Sequence, residues 1–89
     1  MSFFFFSGIA QNALLEKAEK EYNNYAFADA IEIYEKLASK GFEDEKMFQR
    51  LGNAYYFNAE LVKAAGWYQK LFAVNPQQET EYFYRYAQS

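Results

Sequence analysis

The feature that most constrains this chain is that it resembles itself at a shift of 34 residues. With that offset Ala30 falls on Ala64, Tyr34 on Tyr68, Lys36 on Lys70 and Leu37 on Leu71, while Leu14 falls on Phe48 and Ala18 on Gly52. A fixed period of this length marks a fold made by stacking one small unit, because each unit must bury its apolar face on a neighbour. Within each period the apolar residues recur at steps of three and four, the spacing that keeps one face of a helix apolar. Leu14, Leu15, Ala18 and Tyr22 predict a helix over about 11–23, interrupted at Asn23-Asn24-Tyr25. Phe27, Ala30, Ile31, Tyr34 and Leu37 predict a second that stops at Gly41. Glycine takes the left-handed position after a helix, Lys36 and Lys40 oppose the helix dipole in the last turn, and Phe42 folds back as the closing apolar contact. A third helix is expected over about 44–58, with Met47, Phe48, Leu51, Gly52 and Tyr55 on one face. A fourth, over about 60–74, carries Leu61, Ala64, Ala65, Tyr68, Leu71 and Phe72, and ends before Asn75-Pro76, since the residue before proline is pushed out of helical geometry. A fifth is expected to begin near Gln77.

Composition then removes whole classes of function. The 89 residues hold one small domain, and the absence of cysteine and histidine removes thiolate nucleophiles, imidazole acid/base chemistry, zinc sites and disulfide staples together. Nine Lys+Arg against twelve Asp+Glu, interspersed along the chain, give a net charge of −3 and no basic stripe for nucleic acid. Aromatic residues reach 22%, with ten Phe and nine Tyr, a supply of large rigid side chains suited to packing and to protein contacts. No cofactor motif is present, and no enzyme is expected: close carboxylates such as Glu32 and Glu35 fall on a helix face without a cleft. The acidic run Glu43-Asp44-Glu45 opens a helix, where the dipole favours negative charge and three consecutive residues converge poorly on one ion, so it is not expected to hold a metal.

A 34-residue helix-turn-helix period resembles the tetratricopeptide repeat, whose pattern runs W-x2-L-G-x2-Y, then A, then F, A and P. The second period follows that pattern: Phe48 at the Trp place, Leu51-Gly52 at Leu-Gly, Tyr55 at Tyr, Ala64 at Ala, Tyr68 at Phe, Leu71 at the second Ala and Pro76 at Pro. The first is looser, with Leu14, Ala18, Ala30, Tyr34 and Leu37 in register but Lys17 and Glu21 at apolar places. Phe83, Tyr86 and Ala87 fit the opening of a third if one residue is inserted after Pro76. The expected architecture is all-α, about two and a half antiparallel helix-turn-helix repeats: about 11–43, about 44–77 and a partial repeat over about 78–89. The truncated last helix would leave Tyr82, Phe83 and Tyr86 as an open apolar edge, a place for self-association or for further sequence.

A narrower resemblance covers residues 11–89. The phrases ADAIEIYEKLASKG at 28–41, RLGNAYYFNAE at 50–60, KAAGWYQKLFAVNP at 63–76 and EYFYRYAQS at 81–89 are similar to the N-terminal repeats of OmpA-family envelope proteins of Bacteroidetes, some of which serve type IX secretion. The resemblance implies an exported, periplasmic or outer-membrane-associated scaffold, the first part of a longer protein, and it carries no peptidoglycan-binding domain. Residues 1–10 agree with export: Phe3 to Phe6 form an apolar block too short to span a membrane, and Gly8 and Ala10 give the small-x-small pattern before a cut ahead of Gln11. No basic residue precedes the block, and the alternative is a tail on a cytoplasmic chaperone-type adaptor.

Transferring the groove-lining places of such repeats gives Leu15, Glu19, Tyr22 and Asn23 from the first helix, Lys46, Gln49, Asn53, Tyr56 and Phe57 from the third, and Tyr84 from the fifth. The expected partner is a protein or peptide laid along them. Packing between repeats competes for Tyr22, Tyr56 and Phe57, since consecutive aromatics on a helix point different ways. A clamp for a carboxylate terminus is not expected, because Leu15 and Glu19 stand where Lys and Asn would be needed.

Overall fold

The computed structural model describes residues 8–89, all-helical and without a strand among them, as α1 (Gly8–Asn23), α2 (Phe27–Ser39), α3 (Glu45–Phe57), α4 (Leu61–Val74) and α5 (Thr80–Gln88). The chain falls into two compact units, 1–42 and 43–89. The apolar block Phe3 to Phe6 lies outside the described residues. The first helix starts at Gly8, earlier than expected, so Gly8 and Ala10 are helical: no proline or capping side chain stands between them and Gln11 to start the helix later.

In the first unit α1 and α2 form a hairpin over Ala18, Ala30, Ile31, Tyr34 and Leu37. Ala18 and Ala30, both fully buried, let the two backbones approach while Tyr34 and Leu37 fill the space beside them. The turn closes with Tyr25 in the left-handed region at φ 64°. The Ala26 N–H donates back to the Glu21 carbonyl at 2.8 Å, and the Tyr25 N–H to Tyr22 at 2.9 Å, which satisfies carbonyls at the end of α1. Gly41, at φ 90°, ends α2 the same way, with the Phe42 N–H on the Leu37 carbonyl at 3.2 Å.

The second unit repeats this construction and adds to it. Asp44 caps α3 through its Oδ2, which accepts the Met47 N–H at 2.9 Å. The α3–α4 turn is closed by Ala59 at φ 63°, with the Glu60 N–H on the Tyr55 carbonyl at 2.8 Å and the Ala59 N–H on Tyr56 at 3.0 Å. Tyr25 and Ala59 stand one period apart, so one turn geometry has been built twice from different residues. Gly52 is required by close approach: a Cβ there would run into the ring of Tyr68, which lies across it fully buried. Leu51 and Leu71 are fully buried as well, each contributing about 1.5–3 kcal/mol by leaving water.

The segment after α4 is held by amides. Asn75 ends the helix in extended geometry, and its Oδ1 accepts the Gln77 N–H at 3.0 Å. Its Nδ2 donates to the Glu45 carboxylate at 3.2–3.3 Å, and Gln78 Nε2 reaches the same carboxylate at 2.8 Å. These bonds keep 75–79 out of the helix, so α5 begins at Thr80 and not near Gln77. The register of α5 also differs from expectation. Tyr82 is the buried residue, at 8% exposure, and Phe83 is 43% exposed. Tyr82 stands one period after Phe48 with no insertion.

Candidate functional site

The ten residues expected to line a groove divide between the two units. In the first, Leu15, Glu19 and Tyr22 are half-buried along α1 and Asn23 is exposed at its end. Tyr22 packs edge-on against Phe27 at 5.4 Å between ring centroids, so its ring belongs to the closing of the hairpin.

In the second, Lys46, Gln49, Asn53 and Tyr56 recur along one face of α3 at helical spacing. Three of them meet the segment 78–88, one beyond the other. Gln49 Nε2 donates to Gln78 Oε1 at 2.9 Å, Asn53 Oδ1 accepts from Arg85 Nη1 at 2.8 Å, and the Tyr56 hydroxyl donates to Gln88 Oε1 at 2.6 Å. Lys46 stays exposed at the start of the stripe and Phe57 at its end. Tyr84 is exposed on α5, its hydroxyl accepting from Gln88 Nε2 at 3.2 Å.

Asn53, expected to face a partner, is 6% exposed, and its Oδ1 also accepts from the Tyr68 hydroxyl at 2.8 Å. One carbonyl oxygen thus ties α3 to α4 and to α5. A buried amide is costly unless hydrogen-bonded, and these two donors meet that cost. Above it the Arg85 guanidinium lies 5.1 Å from the Phe57 ring centroid and 5.8 Å from those of Tyr56 and Tyr82. Glu81 is 3.8 Å from the same Nη1, one helical turn back.

The aromatic edge expected on α5 is covered in part: Tyr82 is buried, Tyr86 half-buried and Phe83 still exposed. Tyr82 meets Tyr68 edge-on at 6.2 Å, Phe83 stacks on Phe72 at 4.5 Å, and Tyr86 stands edge-on to Phe72 at 5.4 Å while its hydroxyl accepts from Gln69 Nε2 at 2.9 Å. Arg85, Gln78 and Gln88 are the residues that sequence reasoning missed. Arg85 did leave a signal: it stands one period after the fully buried Leu51, a charge at an apolar place.

Elsewhere, an open depression of about 400 Å³ lies between the start of α3 and the end of α4, lined by Glu43, Phe48, Lys70, Ala73 and Val74. Trp67 flanks the same region, its ring 5.8 Å from that of Phe48 and under the Lys70 ammonium at 5.7 Å. Among the described residues no three acidic, His or Cys side chains gather as metal ligands, and no helix is long and apolar enough to cross a membrane. Of the acidic run, Asp44 caps α3 and Glu45 receives Asn75 and Gln78.

Comparison with protein-family models, with curated proteins and with solved structures finds no match to this chain.

Proposed function

We propose that this chain is a tetratricopeptide-type module of about two and a half repeats that binds a protein or peptide partner without catalysis. In this reading it acts as a scaffold in the bacterial cell envelope, as the first part of a longer OmpA-like protein. The observation that carries the repeat reading is the turn built twice, with left-handed Tyr25 and Ala59 one period apart and the same pair of backbone bonds closing each. The same closure ends α2 at Gly41, off the period, so what supports the repeat is the 34-residue spacing of the two non-glycine turns. Small residues at equivalent places, Ala18 with Gly52 and Ala30 with Ala64, support it further. The partner-binding reading draws on the α3 stripe, whose mixture of amides, phenol and aromatic face suits a peptide backbone and its side chains. The envelope assignment draws on the sequence resemblance and on Phe3 to Phe6.

The test is photo-crosslinking from single positions of the full chain in its own cells, combined with fractionation. Probes at Lys46 and Phe57 are expected to capture one discrete protein in the envelope fraction, and a probe at the exposed Glu32 is expected to capture none. Equal capture from all three positions overturns the stripe as the partner face. Capture of a second copy alone replaces partner binding with self-association, and recovery of the chain in the cytoplasm replaces the envelope scaffold with an adaptor.

A further inference from the structure

Asn53, Tyr56 and Phe57 build a site for a guanidinium that the chain fills with its own Arg85. The cation is bracketed by rings of both α3 and α5, within about 6 Å of three centroids, and its Nη1 reaches an acceptor on a side chain more than nine-tenths buried. A planar fork laid on aromatic faces over a carbonyl floor is arginine chemistry, and a lysine ammonium does not reproduce it. All of the site except Tyr82 belongs to α3, so its recognition chemistry persists when α5 is elsewhere.

The anchoring of α5 is light by comparison. Of its residues Tyr82 alone is buried. Besides the Arg85–Asn53 bond and the ring contacts of Arg85 and Tyr82, its ties include ring contacts on Phe72 and side-chain hydrogen bonds near solvent, which open locally more readily than a buried core does.

We propose that α5 is a resident competitor for the α3 stripe, displaced by a partner helix that presents an aromatic residue, an arginine three places later and an amide three places after that. The pattern is the one α5 itself displays in Tyr82, Arg85 and Gln88, which share one helix face. The competition sets a threshold, because a partner's apparent affinity is reduced by the fraction of time α5 is open. The inference rests on the stripe being the partner face.

The chain has no cysteine and a single tryptophan, Trp67 on α4, so the chain with Ser89→Cys carrying a fluorescent acceptor reports the position of α5 by energy transfer. Titration with a synthetic peptide of residues 77–89 is expected to lower transfer saturably, and the same peptide with Arg85→Ala to need at least about tenfold more. The labelled chain with Arg85→Ala is expected to take up the unmodified peptide about tenfold more tightly, since its own helix competes less. If that variant loses its helical circular dichroism, the parent chain decides alone. Unchanged transfer at millimolar peptide, or equal potency of the arginine-free peptide, overturns the proposal. If that happens while crosslinks still form at Lys46 and Phe57, the displaceable helix is lost and the partner-binding reading stands.

Discussion

The two units share a plan and differ in depth. Both are helix hairpins closed by a left-handed non-glycine residue, and both bury the same quartet of places, Ala18, Ala30, Tyr34 and Leu37 in one and Gly52, Ala64, Tyr68 and Leu71 in the other. The second unit also buries Phe48, Leu51 and Tyr55, where the first has half-exposed Leu14, exposed Lys17 and half-buried Glu21. The quartet and the turn are therefore what a hairpin of this period needs. The additional apolar places accompany α5, which presents Tyr82 to Tyr68 and Arg85 to Asn53.

Truncating the quartet gives the largest expected effect. Leu37→Ala and Leu71→Ala each remove a fully buried side chain and are expected to cost about 2–5 kcal/mol in urea unfolding, with Leu71→Ala the costlier because its unit buries more apolar side chains. An equal or reversed order would break the claim that the second unit is the deeper one.

Gly52→Ala comes next. Its Cβ meets the Tyr68 ring, so strain of about 1–3 kcal/mol outweighs the gain in helix propensity. At Gly66, also helical but with nothing within 4 Å of a Cβ, the same substitution is expected to stabilise by up to about 1 kcal/mol. Thermal melts of the two variants should move in opposite directions. A neutral Gly52→Ala would mean that the Tyr68 ring yields easily and that the close packing of α3 on α4 is not what the glycine serves.

The smallest effect sharpens the comparison of turns. Left-handed geometry costs a non-glycine residue about 1–2 kcal/mol, and glycine returns about half of that after its own entropic cost. Ala59→Gly is accordingly expected to raise stability by about 0.5–1 kcal/mol. Tyr25→Gly should raise it less, because it also removes the edge-on contact of Tyr25 with Phe27 at 6.1 Å. Equal gains would show that this ring contact contributes nothing to the first turn.

Helix number, the ends at Gly41 and Asn75 and the small-residue places were all legible in the sequence, because each depends on neighbours three or four residues away or on one residue's own backbone preference. The start of α1 was missed, since small residues preceded by an apolar block read equally as a processing site. The start of α5 was missed because Asn75 and Gln78 are drawn to Glu45, which is about 30 residues away in the chain. Of the site, the sequence singled out the α3 residues Lys46, Gln49, Asn53 and Tyr56, whose helical spacing puts them on one face. It could not say what that face meets, and so Asn53 and Tyr56 were assigned to a partner without their bonds to Arg85 and Gln88.

By itself, then, the sequence determined the helices, their period and the pairing of small with large residues across each hairpin, since all of these follow from local geometry and a 34-residue recurrence. Tertiary structure alone decided the register of α5, the burial of Asn53 and the enclosure of Arg85 by aromatic rings. The reason is physical. A helix presents several faces of similar polarity, and which one is buried depends on the shape and hydrogen-bonding groups of the surface that receives it.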